Sequence, residues 1–325
     1  MTSPIKKISI QSASELTGVF PAIFMPLKMD DPKRLNNSID YDKAKKIIDD
    51  LIAEGVQGLV PVGTTGQSPT VSTAQHLDFI RFTADYVDGR VPIIAGAGSN
   101  CTRESVEMIQ KIQNALGSMA VLCVTGYYNN PPQEGLISHY ETLSRETGAK
   151  IVIYNVPART ASYLEAETIL QLSRDPNIIG LKQAVDFKNP GKYREDTQRI
   201  GKEINPADMA LFTGEDDAFY AILELGGQGI ITAAGNIPEV SRQYLKLWKK
   251  YLAGEKSAAE QIQKDLEPLI KAVFLRKNPI PLGTFFNSPL YLPLVSVRET
   301  KGGEEAHQHI MQMIETAAPS LKKYH

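Results

Sequence analysis

The stretch Lys150-Ile151-Val152-Ile153-Tyr154-Asn155-Val156-Pro157 is followed, after a segment of helical periodicity over 165–174, by Ile178-Ile179-Gly180-Leu181-Lys182-Gln183-Ala184. Both flanking runs are short, rich in Ile and Val, and nearly continuously apolar. That is the pattern of strands covered on both faces in a parallel sheet, and the whole reads as one β-α-β unit. The same alternation repeats outward in both directions. Strand-like runs lie at 18–27, 58–63, 91–98, 119–125, 210–215 and 229–235, and amphipathic segments at 41–54, 73–87, 103–116, 136–146 and 217–225, with a weaker one at 192–204.

Eight such units in one chain predict an α/β fold, a closed (β/α)8 TIM barrel, rather than an open doubly wound sheet. The nucleotide-binding alternative has little support. Gly96-Ala97-Gly98 follows a strand, but no third glycine stands at the GxGxxG spacing and no Walker lysine follows a glycine loop. A barrel of this kind takes about 250 residues. The expected organisation is therefore an N-terminal extension over 1–17, a barrel over 18–254, and a C-terminal helical region over 255–325. Helical patterns at 258–274 and 304–317 flank Asn278-Pro279-Ile280-Pro281 in that last region, which is expected to pack on the barrel or support subunit contacts.

A formal net charge of -2 gives no general attraction to nucleic acid or acidic membranes, so neither is expected as a partner. Lys45-Lys46 and Lys249-Lys250 sit on helix-like faces and read as solvated surface. The two cysteines, Cys101 and Cys123, lack metal-ligand spacing and are too few for a disulfide scaffold, which suits a reducing compartment. Residues 1–14 are polar without the apolar core of a secretion signal, and no apolar run approaches the ~20 residues that cross a bilayer. A soluble, cytoplasmic protein is expected.

In this fold the reactive groups gather at the C-terminal strand ends. There stand Gly63-Thr64-Thr65-Gly66, Tyr127-Tyr128, Tyr154, Arg159, Lys182, Gly214-Glu215-Asp216 and Asn236. A lysine inside an apolar strand is desolvated, which favours the neutral amine that attacks a carbonyl. The plainer alternative is a lysine that snorkels to solvent or forms an ion pair. Tyr154 can shuttle protons or simply plug the barrel mouth. Thr64 and Thr65, in a tight glycine turn, suit a carboxylate, although such a turn is also an ordinary connection. Arg159 offers a planar fork to a second carboxylate, or is an unremarked surface arginine. His76, His139, His307, His309 and His325 show no strand-end position with a carboxylate partner, and no nucleophile elbow is present. No metal and no cofactor are expected.

Taken in order, Gly63-Thr64-Thr65-Gly66, Tyr127-Tyr128-Asn129, Tyr154-Asn155-Val156-Pro157-Ala158-Arg159-Thr160, Gly180-Leu181-Lys182 and Asn278-Pro279-Ile280-Pro281 closely resemble the dihydrodipicolinate synthase family. That family belongs to the N-acetylneuraminate lyase superfamily of pyruvate-dependent aldolases, and the resemblance runs from about Gly18 to the end of the chain. It implies that Lys182 forms a Schiff base with pyruvate. Tyr154, Thr64 and Tyr128 look like the proton relay, with Tyr128 entering from a neighbouring subunit. Thr65 would hold the pyruvate carboxylate, Arg159 that of L-aspartate 4-semialdehyde, and Gly214 and Ile231 would line the site through backbone groups. A homotetramer, as a dimer of dimers, in the lysine and diaminopimelate pathway is implied. So is a lysine effector site at Ser68, His76, Asn100, Glu104 and Tyr127. Asn100 and Glu104 also read as the cap and first turn of the helix at 103–116.

Four departures stand out, one of them a segment after Pro281 that is shorter than usual. Gln67 and Gln183 replace glutamates, which could alter the aldehyde accepted, and Gly126 stands where a proline is common. Two other functions stay open: a different aldolase of the superfamily, cleaving a sugar acid or hydroxy-oxo acid, and a non-catalytic metabolite-binding barrel.

Overall fold

The structure, a computed structural model, describes residues 10–325. Seven strands are present among the described residues: β1 (Gly18–Pro21), β2 (Ile94–Gly96), β3 (Ala120–Val124), β4 (Ile151–Asn155), β5 (Ile178–Gln183), β6 (Ala210–Thr213) and β7 (Gly229–Thr232). They form one sheet in the order β1-β7-β6-β5-β4-β3-β2, with β1 held at its start by the Gly18 amide on the Gln228 carbonyl, 2.9 Å. Every resolved ladder is parallel, from β2–β3 through β6–β7. Residues of β4 and β5 are buried throughout, as their unbroken apolar runs require.

The eighth expected strand, 58–63, contributes only an isolated parallel bridge between Ala22 and Val60. Val60 donates to the Pro21 carbonyl at 2.9 Å and accepts from Ile23 at 3.0 Å. The ladder stops there for a local reason. Pro61 has no N–H to give, and Val62 takes a left-handed φ of 54° that breaks the extended backbone.

The chain divides into two units. One runs to Gly18 and then from Pro92 to Ile231; the other holds Val19–Val91 and Thr232–His325. The first contains most of the sheet and the helices Thr102–Leu116, Gln133–Thr147, Ala166–Leu172, Lys192–Glu203 and Phe219–Glu224. The segment expected to be helical over 217–225 opens instead with a 3-10 turn, Asp216–Ala218. The expected N-terminal extension lies partly outside the described residues; its described part has Ala13–Glu15 as a 3-10 turn and Leu16 buried.

The second unit contains Tyr41–Glu54, capped by the Asp40 carboxylate on the Lys43 amide and ended by left-handed Gly55. Thr73–Val87 starts from a Ser72/Gln75 capping box. Its C-terminal part comprises Pro238–Leu252, Lys256–Val273, Ile280–Phe285 and Gly303–Thr316. These pack onto the same unit's earlier residues. Phe286 stacks on Phe24 at 5.5 Å, and Lys43 Nζ donates to the Phe286 and Asn287 carbonyls at 3.0 and 2.7 Å. No helix among the described residues is long and apolar enough to cross a membrane.

Candidate active site

Parallel pairing of β4 with β5 sets Tyr154 beside Lys182 and Asn155 beside Gln183. Lys182 is only 6% exposed, and its Nζ lies 4.2 Å from the centroid of the Tyr154 ring. The Tyr154 ring thus lies against the head of the lysine side chain. Gly214, just after β6, donates its amide to the Gln183 carbonyl at 2.7 Å. A Cβ at Gly214 would stand 2.7 Å from Lys182 Cε, so only glycine leaves room for the lysine side chain. Ile231, in β7 of the same unit, is buried.

Glu215 received no role from its sequence position, yet it feels Lys182. Burial pushes its carboxyl above the usual range, with Asp216 and Asp217 adding to the shift and Lys182 and Lys188 opposing it. The run of acids after Gly214 was visible in the sequence; its electrostatic reach to a lysine in β5 was not.

Tyr128 makes a different impression. It is 92% exposed with φ at 77°, and its amide donates to the Thr160 carbonyl at 3.3 Å. A left-handed, solvent-facing tyrosine is an unfavourable arrangement for an isolated chain. Arg159 is exposed too, in the short helix Pro157–Thr160, where the proline at its start presets the turn.

Thr64 and Thr65 belong to the second unit. There the turn closes through Gln67 N to Thr64 O, 3.1 Å, and Ser68 N to Gly63 O, 3.3 Å. A Cβ at Gly66 would fall 2.9 Å from the Val62 backbone, which accounts for the glycine. Thr65 is buried, and its Oγ1 accepts from Asn278 Nδ2 at 2.9 Å. Asn236, a strand-end candidate, is spent on structure. Its Oδ1 accepts from Phe24 N and its Nδ2 donates to Ala22 O, both at 2.8 Å.

Residues 15–299 match the dihydrodipicolinate synthetase family. The chain belongs to that family. The 4-hydroxy-tetrahydrodipicolinate synthase of Methanocaldococcus jannaschii is 38% identical over 289 residues, 87% of this chain and 93% of that one. Two solved structures are also similar. The chloride-inhibited dihydrodipicolinate synthase of Acinetobacter baumannii, complexed with pyruvate, is 28% identical with a TM-score of 0.81, covering 91% of this chain and 98% of its own. The Cyanidioschyzon merolae enzyme, with lysine bound, is 28% identical with a TM-score of 0.83, over 94% and 99%.

Within the dihydrodipicolinate synthetase family, the two glutamine departures acquire a physical account. Gln183 Oε1 accepts from Asn155 Nδ2 at 2.9 Å, and its Nε2 donates to Thr197 Oγ1 at 3.1 Å. Gln67, with φ at 60°, donates to the Met25 carbonyl and accepts from the Tyr291 amide, both at 3.0 Å. Each buried amide uses its donor and its acceptor on the scaffold, which an ionised carboxylate cannot do.

The residues matched to an effector site also divide between the units. Asn100 Oδ1 accepts from the Tyr127 amide at 2.9 Å, and Ser99 Oγ donates to Glu104 at 2.7 Å. The helix Thr102–Leu116 has Cys101 at its cap with no side-chain bond, so Asn100 is not its cap; Glu104 does lie in the first turn. Ser68 lies in the threonine turn and His76 is buried on Thr73–Val87.

Proposed function

We propose that this chain is a lyase that condenses pyruvate with L-aspartate 4-semialdehyde to 4-hydroxy-tetrahydrodipicolinate, at the start of lysine and diaminopimelate biosynthesis. The observation that carries the mechanism is the buried Lys182 amine against the Tyr154 ring. The neutral amine adds to the keto carbon of pyruvate, and loss of one water leaves an imine. Removal of a methyl proton gives an enamine, whose carbon attacks the aldehyde. The aldehyde's own amine then closes on the imine carbon and releases Lys182. Tyr154, Thr64 and Tyr128 move the protons. Thr65 holds the pyruvate carboxylate, Arg159 the carboxylate of the semialdehyde, and backbone groups at Gly214 and Ile231 line the site. This chemistry needs no cofactor and no metal.

The same proposal includes a closed (β/α)8 barrel over 18–254, with 58–63 as its eighth staves-position segment, and a helical region over 255–325 packed on it. It also includes a cytoplasmic homotetramer. The exposed, left-handed Tyr128 supports assembly, because a second copy would give that side chain something to meet. Assay of pyruvate with a panel of aldehydes tests the activity. Turnover of the semialdehyde should exceed that of long sugar-derived aldehydes by at least about tenfold in kcat/KM, a gap on the order of one lost polar anchor. A preference for sugar-derived aldehydes would place the chain among the sugar-acid lyases, and no turnover of any aldehyde would favour a binding barrel.

A lysine effector site at Ser68, His76, Asn100, Glu104 and Tyr127 belongs to this proposal as well. Its support is the Asn100–Tyr127 bond beside Tyr128, together with the lysine carried by the Cyanidioschyzon merolae structure. Initial rates should fall as L-lysine rises, and Glu104→Ala should blunt the fall. A flat wild-type curve to millimolar lysine contradicts the site.

A further inference from the structure

We infer that Asn278 is a positioning residue for the pyruvate carboxylate, acting through the hydroxyl of Thr65. The inference rests on the function proposed above. Asn278 opens the segment Asn278-Pro279-Ile280-Pro281, to which neither the fold nor the chemistry has so far given a task. It is 6% exposed, and its Nδ2 donates to Thr65 Oγ1 at 2.9 Å, across 213 residues of sequence.

A threonine hydroxyl has one proton and two acceptor positions. With the Asn278 amide occupying an acceptor position, Thr65 turns its proton elsewhere and stands as a donor, which is what a carboxylate ligand requires. The turn that carries Thr65 is itself fixed from both sides. Gln67 bridges the Met25 carbonyl and the Tyr291 amide, while the turn's own backbone bonds close it at Thr64 and Gly63. Asn278 is the group seen to bond the Thr65 hydroxyl itself. An aspartate at this position would do the opposite. It would accept the hydroxyl proton and set a negative charge near an anionic ligand.

The test uses the full chain with Asn278→Ala and Asn278→Asp, each alone and combined with Thr65→Val. Borohydride trapping at Lys182 is followed as a function of pyruvate concentration, alongside KM for both substrates and the melting temperature. In Asn278→Ala the pyruvate needed for half-maximal trapping should rise roughly three- to tenfold, as for loss of one hydrogen bond, and in Asn278→Asp it should rise further. KM for the semialdehyde should stay within about twofold of wild type, a margin well below one lost hydrogen bond. In the Thr65→Val background, Asn278→Ala should add nothing. A folded variant with wild-type pyruvate dependence, equal damage to both substrates, or an undiminished effect without the Thr65 hydroxyl would each overturn the inference. If neither single variant folds, Asn278 is a structural residue and the inference fails. Wild-type trapping reports separately on the proposed function: its absence brings down that function, and the role of Asn278 with it.

Discussion

Lys182 is buried and Arg159 is exposed. The lysine is enclosed by β4, β5 and Gly214, whereas the arginine is exposed on a one-turn helix. This contrast suits the roles proposed for them, an enclosed nucleophile and an anchor open to an incoming substrate. Arg159→Ala should raise KM for the semialdehyde by about ten- to a hundredfold, the cost of a lost charge-assisted fork. Pyruvate trapping should be untouched. Equal loss in both steps would make Arg159 a scaffold residue. At this scale the sequence was informative where a side chain's chemistry is unusual for its strand, as for Lys182. It marked Gln183 and Gln67 as departures but did not give their partners, Thr197 and Tyr291, which lie elsewhere along the chain.

Elements were legible where their signals are local. The helices Tyr41–Glu54 and Thr73–Val87 match their periodic segments because caps at Asp40 and Ser72 and a stop at Gly55 coincide with the apolar pattern. The run at 58–63 looked like its neighbours because hydrophobicity does not register a missing donor at Pro61 or a left-handed Val62. The helix Gln133–Thr147 carries a buried histidine that apolar periodicity also conceals. His139 Nδ1 meets Thr102 Oγ1 at 2.9 Å, while its Nε2 is buried and has no partner among the described residues. Burial holds the ring down to about 4 from the ordinary 6.5. The unfolded chain therefore binds a proton between those values that the folded chain refuses. Stability should be full above pH ~6.5, fall on the order of 2–3 kcal/mol as pH drops toward ~4, and level off below. Melting temperatures of wild type and His139→Phe across this window check the sign. The variant should show the shallower slope, and equal slopes would contradict the assignment.

For the whole molecule, the family match over residues 15–299 agrees with the order of strand-end motifs in the sequence. Assembly is another matter, since subunit contacts leave no periodic trace in one chain. In the proposed assembly, the strained, exposed Tyr128 is the residue through which subunit contacts would bear on the chemistry. The protein should sediment as a tetramer, and Tyr128→Phe should lose turnover by about tenfold or more, as for removal of a general acid–base group. A monomer of full activity would contradict this. The most direct test of the central claim is borohydride reduction in the presence of pyruvate, followed by intact-mass and peptide analysis. One pyruvate-derived adduct per chain, mapped to Lys182, is the predicted result; complete inactivation with Lys182 unmodified would contradict the Schiff-base mechanism.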